Sequence, residues 1–190
     1  MSATPPEQAR PALVYVMGGS GVGKDAVMAF ARARVSPTRF AFAHRYITRP
    51  ASPGEAHVPL TEAEFAARRE AGLFAMWWES HGLSYAIGEE ALLWLRQGLT
   101  VVMNGSRGAW PELSRRSDLP LVPVMIVANA ETRHARLMAR GREPAAAVAS
   151  RLAREPAVDL DGMVVIENDG EIESAGLALV AVLHRLAGRP

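Results

Sequence analysis

Lysine occurs once in these 190 residues, at Lys24, where it closes the run Gly18-Gly19-Ser20-Gly21-Val22-Gly23-Lys24. This is the G-x-x-x-x-G-K pattern of a phosphate-cradling loop. Of the 21 lysine-plus-arginine positions, the other twenty are arginine. Gly18 and Gly23 are the only two of the sixteen glycines spaced five apart. A lysine placed at random would therefore complete the pattern about once in 190 tries. Lysine suits the task because a compact ammonium on a flexible stem follows a phosphoryl group, which a rigid guanidinium fork does poorly. The glycines let backbone N–H groups turn inward around phosphate oxygens.

The flanks agree with the motif. Leu13-Val14-Tyr15-Val16-Met17 is a short apolar run of the kind a buried parallel strand shows. Asp25 to Arg34 reads as a helix with Val27, Met28 and Phe30 as its apolar contacts. Strand, glycine loop and helix in that order set a helix N-terminus against bound phosphate. The plainer alternative is a glycine-rich turn between two core elements.

Bulk properties narrow the class. A chain of 190 residues can bury one good core with inserted lobes. The net charge is +1, so no global basic field points to nucleic acid or a membrane surface. There are no cysteines, which excludes disulfides, a thiol nucleophile and cysteine-based metal sites. Met1 to Pro6 lacks the apolar stretch of a signal peptide. Leu119 to Ala128 is too short and carries two prolines, so it is not a spanning helix. The expectation is a soluble cytoplasmic protein; composition supplies no oligomerisation signal.

Strands are expected at 13–17, 40–44, 100–104, 121–128 and 163–167. Helices are expected at 25–34, 62–71, 89–97, 130–139, 144–154 and 173–187. Such alternation implies a parallel sheet covered by helices on both faces. Residues 45–97 interrupt it with Pro50, Pro53, Gly54 and Pro59, then a helix and two strand-like runs around Gly82. They read as an inserted α+β lobe within a single domain, whose core is 11–44 and 98–190. Residues from about 140 to 156 are arginine-rich, run through Gly141, and read as a lid. A phosphoryl-transfer enzyme needs such closing parts to exclude water.

With these parts placed, the chain resembles the guanylate kinase superfamily over nearly its whole length. The resemblance rests on Gly18–Lys24, Thr48-Arg49-Pro50 with Pro53-Gly54-Glu55, and Thr61-Glu62-Ala63-Glu64-Phe65. His81-Gly82 leading to Tyr85, Arg140-Gly141 and Asn168-Asp169 complete it. It implies a P-loop three-layer α/β fold: a guanylate kinase-like parallel sheet, an inserted α+β acceptor-binding lobe and a lid. The departures bear on the substrate. The glutamate that reads guanine in that superfamily corresponds to Met76, and two base-contacting serines correspond to Arg45 and Ile87. The acidic strand end becomes Met103-Asn104-Gly105-Ser106, and a phosphate-holding tyrosine becomes His57. A site without groups that pair with guanine cannot select it.

These substitutions resemble a sister family, the ribose 1,5-bisphosphate phosphokinases of phosphonate utilisation. Its characteristic strings stand here as Gly23-Lys24-Asp25, His44-Arg45-Tyr46-Ile47-Thr48-Arg49 and Asn104-Gly105-Ser106-Arg107. The resemblance implies ATP and Mg²⁺ as cofactors. It also implies transfer of the γ-phosphoryl group to the 1-phosphate of ribose 1,5-bisphosphate, giving 5-phospho-α-D-ribose 1-diphosphate.

Residue roles follow from chemistry and resemblance together. Gly18 to Lys24 are expected to hold the nucleotide phosphates. Most such loops place Ser or Thr after the lysine to ligate Mg²⁺; here Asp25 is the expected metal ligand, replacing the carboxylates lost at Asn104 and Ser106. The competing reading of Asp25 is an acid that complements the helix dipole. An ionised phosphate acceptor needs no general base, only alignment and charge neutralisation. Arg45 and Arg49, two strand steps apart, are expected to face one cleft. With His57, Tyr85, Asn104 and Arg107 they are assigned to the acceptor. For Arg45 and Arg49 the alternative is a solvated strand edge, and for His57 an ordinary loop position. By resemblance Arg136, Arg140 and Arg151 are lid arginines that clamp the transferring phosphoryl group, against the alternative of a solvated helix face. Asn168 is placed near the adenine by resemblance, and Asn168-Asp169-Gly170 is also a turn and cap signal.

Two other functions compete with this kinase. One is a guanylate or other nucleoside monophosphate kinase. The other is a non-catalytic scaffold on the same fold, a class that commonly loses the phosphate loop intact here. A regulatory GTPase lacks support, because no Asn-Lys-x-Asp motif exists when Lys24 is the sole lysine.

Overall fold

The structure, a computed structural model, describes residues 11–50, 57–80, 82–139 and 159–188. Five strands form the main sheet: β1 (Leu13–Gly18), β2 (Phe40–Ala43), β7 (Thr100–Asn104), β8 (Leu121–Val127) and β9 (Val164–Glu167). Their order is β2-β7-β1-β8-β9, and every pairing is parallel. Near-continuous apolar runs make these strands, as expected when helices bury both faces.

Alternation along β1 divides the core in two. Val14 and Val16 pack with Val102, Val124, Ile126 and Ile166 beneath α1 (Lys24–Arg32) and the last helix, α6 (Ile172–Leu186). Gly176 lies so close to the Phe30 ring that a Cβ there would overlap it, which seats α6 tightly on α1. Leu13, Tyr15 and Met17 point the other way, with Val101, Met103 and Met125. That second face is covered by α3 (Glu90–Arg96), by the single turn α4 (Trp110–Leu113) and by a second sheet.

The second sheet has the order β4-β3-β6-β5, built from β3 (Arg45–Ile47), β4 (His57–Pro59), β5 (Phe74–Ser80) and β6 (Leu83–Gly88). β3 runs parallel to β4 and antiparallel to β6, and β5 is antiparallel to β6. Helix α2 (Glu62–Glu70), capped by Thr61 whose hydroxyl accepts from the Glu64 N–H, brings Phe65 to 4.8 Å from the Phe74 ring. Helix α5 (Ala130–Ala139) follows β8.

Most expected elements stand within one or two residues of their predicted ends, the usual scatter of element termini. Two corrections matter. β3 and β4 were not among the expected strands, although Arg45 to Arg49 was read as extended; three-residue strands form at both places, because β3 pairs with β6 and β4 with β3, ladder bonds that periodicity cannot reveal in so short a run. β3 also ends at Ile47, where the Arg49 N–H turns back to the Ile47 carbonyl at 2.8 Å. Strand alternation therefore does not carry Arg49 onto the face of Arg45. The helix expected at 144–154 lies outside the described residues. Among the described residues no helix is long and apolar enough to cross a membrane.

Candidate active site

The phosphate loop joins β1 to α1. Gly21 and Gly23 sit at φ 82° and 83°, left-handed backbone that side chains rarely adopt. Space enforces the same choice: a Cβ on Gly21 would lie 2.9 Å from the Arg133 carbonyl, and one on Gly23 2.6 Å from the Asn168 amide nitrogen.

The loop is held from behind. Arg133 Nε donates to the Ser20 carbonyl at 2.9 Å. The Val22 carbonyl accepts from Asn168 Nδ2 at 2.7 Å and from Arg136 Nη1 at 3.3 Å. Arg136 Nη1 also donates to the Asn168 carbonyl at 2.7 Å, locking the clamp to the end of β9. A trans peptide points its C=O and N–H in opposite directions. With the Ser20 and Val22 carbonyls turned toward α5, the Gly21 and Gly23 N–H groups are turned to the other side, where a phosphate would sit.

Across the loop, Lys24 Nζ donates to Asn104 Oδ1, and Asn104 Nδ2 donates to Asp25 Oδ1 at 2.5 Å. Asn104 ends β7 and is only 8% exposed. One amide thus joins the ammonium and the carboxylate and aims both at the strand end.

The second sheet supplies another group of side chains. Register sets Arg45 beside His57 and Ile87, Ile47 beside Tyr85, Tyr85 beside Trp78, and Ile87 beside Met76. All share the face that packs toward Tyr15 and Met103. Trp78 and Tyr85 stack at 5.7 Å with 5° between planes. His57 is buried, its Nε2 lying 3.4 Å from the Arg49 carbonyl. Arg45 Nε is buried with no hydrogen-bond partner among the described residues. Beside this face, a cavity of about 570 Å³ opens between β5 and α4, lined by Tyr15, Met76, Trp78, Ala109 and Leu113, with exposed Glu79 and Glu112 at its rim.

This geometry has counterparts. A guanylate kinase from Anaplasma phagocytophilum superposes with a TM-score of 0.67, covering 94% of this chain and 87% of that one at 15% identity, which speaks for the fold alone. No protein-family model matches the chain. The relatives decide. A protein of Burkholderia mallei named Ribose 1,5-bisphosphate phosphokinase PhnN is 46% identical over 178 residues, spanning 92% of this chain and 96% of the relative. One of Desulfomicrobium baculatum with the same name is 46% identical, over 90% of this chain and 93% of the relative. The chain belongs to the ribose 1,5-bisphosphate phosphokinase family. A 48% identical member from Laribacter hongkongensis is longer, and the chain spans 44% of it.

Within this kinase family fold, the predicted residues separate into groups. Gly18 to Lys24, Asp25 and Asn104 meet at the loop; Arg45, His57 and Tyr85 meet on the second sheet. Three placements differ from expectation. Asn104 was assigned to the acceptor, but its amide is engaged with Lys24 and Asp25. Arg136 was read as a phosphoryl clamp, yet Nη1 is committed to the backbone of Val22 and Asn168. Asn168 was placed near adenine, but it is 2% exposed and lies under the loop. His57, read also as an ordinary loop position, is a buried strand residue. Asp169 does not cap α6; its Oδ1 accepts from the Asn129 N–H at 2.7 Å. Arg140 and Arg151 lie outside the described residues. Sequence reasoning missed Arg133, although its spacing of three from Arg136 puts both on one side of α5.

Replacing Asn168 by Ala leaves the Val22 carbonyl with only the longer Arg136 bond and opens a buried void beside Gly23. The expected result in steady-state kinetics is a KM for ATP raised about tenfold, on the scale of one buried hydrogen bond. An unchanged KM contradicts the clamp.

Proposed function

We propose that the chain transfers the γ-phosphoryl group of ATP to the 1-phosphate of ribose 1,5-bisphosphate, giving 5-phospho-α-D-ribose 1-diphosphate and ADP in phosphonate catabolism. The observation that carries this reading is the inward face of the second sheet. Arg45 and His57 stand side by side there, while Met76, Trp78, Tyr85 and Ile87 complete it without a carboxylate. Such a face offers the Arg45 guanidinium to an anionic sugar and no carboxylate to accept from the N–H groups of a guanine edge. The name borne by the relatives points the same way.

The chemistry asks little beyond alignment. An oxygen of the 1-phosphate attacks the γ-phosphorus, the bond to the β–γ bridging oxygen breaks, and ADP leaves with those electrons. The acceptor oxygen is already ionised, so no general base is needed. Gly21 and Gly23 N–H groups and Lys24 hold the nucleotide phosphates. Nζ carries three donors, so its bond to Asn104 orients the ammonium without exhausting it. Arg45, Arg49, His57, Tyr85 and Arg107 hold the acceptor, with residues 45–97 as the acceptor lobe. Residues from about 140 to 156, with Arg140 and Arg151, close over the transferring group as a lid.

Asp25 fits a Mg²⁺ ligand. Among the described residues no cluster of three or more His, Asp or Glu could hold a metal alone. Mg²⁺ is usually bound by one or two carboxylates together with waters and substrate phosphates, where it neutralises their charge. Asp25 lies in the first turn of α1 beside the loop, and the Asn104 amide fixes one carboxylate oxygen, leaving the other as a hard anionic donor.

Two outcomes are expected. In a coupled ADP-release assay, ribose 1,5-bisphosphate turns over with a diphosphate formed on C1, read by phosphorus NMR, while GMP is at least about a hundredfold poorer in kcat/KM. Brisk conversion of GMP with the pentose untouched overturns the assignment. Asp25→Ser shifts the Mg²⁺ midpoint for activity upward about tenfold; an unchanged metal requirement leaves Asp25 as a helix-dipole residue.

A further inference from the structure

Tyr15 is wholly buried in β1, yet it carries a hydroxyl to the place where the two sheets face each other. That hydroxyl brackets one residue. It accepts from the Ser106 N–H at 2.9 Å and donates to the Ser106 carbonyl at 3.2 Å. The ring fits just as closely: a Cβ on Gly105 would lie 2.5 Å from it, and Trp110 stacks on its other side at 5.7 Å. The backbone is pinned once more where the Gly105 N–H meets the Val16 carbonyl at 2.8 Å.

Strand pairing explains Asn104, which is held by β7 itself. It does not explain Ser106 and Arg107, which lie beyond the strand. The Tyr15 bracket ties Ser106, and through it the start of the turn at Arg107, to the main sheet. Burial pushes the Tyr15 hydroxyl up to about 12, so it stays a neutral donor and acceptor at any working pH. The Ser106 N–H opposes that shift, as does the charge of Arg45, which lies near the hydroxyl.

We propose that Tyr15 is a positioning residue for the acceptor: its hydroxyl fixes the Ser106–Arg107 turn opposite Arg45, so that Arg107 and Arg45 address one phosphate from two sheets. This rests on the acceptor reading above. The phenol does not touch substrate; it acts through the Ser106 backbone. A phenylalanine in its place keeps the ring against Gly105 and Trp110 and removes only the bracket.

The test uses the full chain, wild type and Tyr15→Phe, in two arms. In hydrogen exchange with mass spectrometry, the variant should exchange faster in peptides covering residues 105–110, with β8 and α6 unchanged. In steady-state kinetics with ATP and ribose 1,5-bisphosphate, the acceptor KM should rise about tenfold, the scale of one lost hydrogen-bonding group. The KM for ATP should stay within about twofold. Arg107→Ala should raise the acceptor KM, and adding Tyr15→Phe to it should change little further, as expected of two residues acting as one unit. Unchanged exchange overturns the proposal, as does faster exchange with an unchanged acceptor KM, or equal losses for both substrates. A wild type that turns over ATP but never this pentose sinks the acceptor reading instead, while the exchange arm still decides the bracket. Should Tyr15→Phe fail to fold, Gly105→Ala keeps the hydroxyl but displaces the ring. It must then reproduce the acceptor defect, and normal acceptor kinetics in that variant overturn the proposal.

Discussion

Asn104 joins two opposite charges with one amide, taking a hydrogen bond from Lys24 and giving one to Asp25. That arrangement fixes where the phosphate loop ends relative to the strand that faces it. A lysine on a flexible stem has many positions open to it; tied to a buried side chain, it has few. Asp25 is fixed by the same amide, which keeps the carboxylate at the strand end.

The loop depends equally on what lies behind it. Arg133, Arg136 and Asn168 take up the carbonyls of Ser20 and Val22. Arg136 reaches two carbonyls at once, its Nη1 donating to both Val22 and Asn168. The composition acquires a physical sense from this division. Guanidinium groups hold the loop from behind, and the one ammonium stands across it, tied to Asn104.

The strand, glycine loop and helix around Lys24 were legible in the sequence, because β1, the loop and α1 are contiguous and each carries a local signal. The parallel sheet was legible for the same reason: apolar runs alternating with helical periods. Three-residue β3 and β4 were not, since their order comes from pairing, β3 with β6 and β4 with β3, rather than from their own periodicity. Nor were the roles of Arg136 and Asn168, whose partners are backbone carbonyls far away in the chain. Motif spacing reports side-chain identity and is silent on which way a distant peptide points. Tyr15 escaped notice because a tyrosine in an apolar strand reads as core; only the closeness of Gly105 and Ser106 shows that its hydroxyl has a task.

If the lone ammonium is kept for phosphate, no guanidinium can take its place, even in a protein whose other cations are all arginine. The direct measurement is kcat of Lys24→Arg with ATP and ribose 1,5-bisphosphate, beside its thermal unfolding midpoint. The expected result is a loss of about a hundredfold or more in kcat, with the midpoint little moved. Activity within a few-fold of wild type would contradict the account, because arginine would then serve at Lys24 as well as everywhere else.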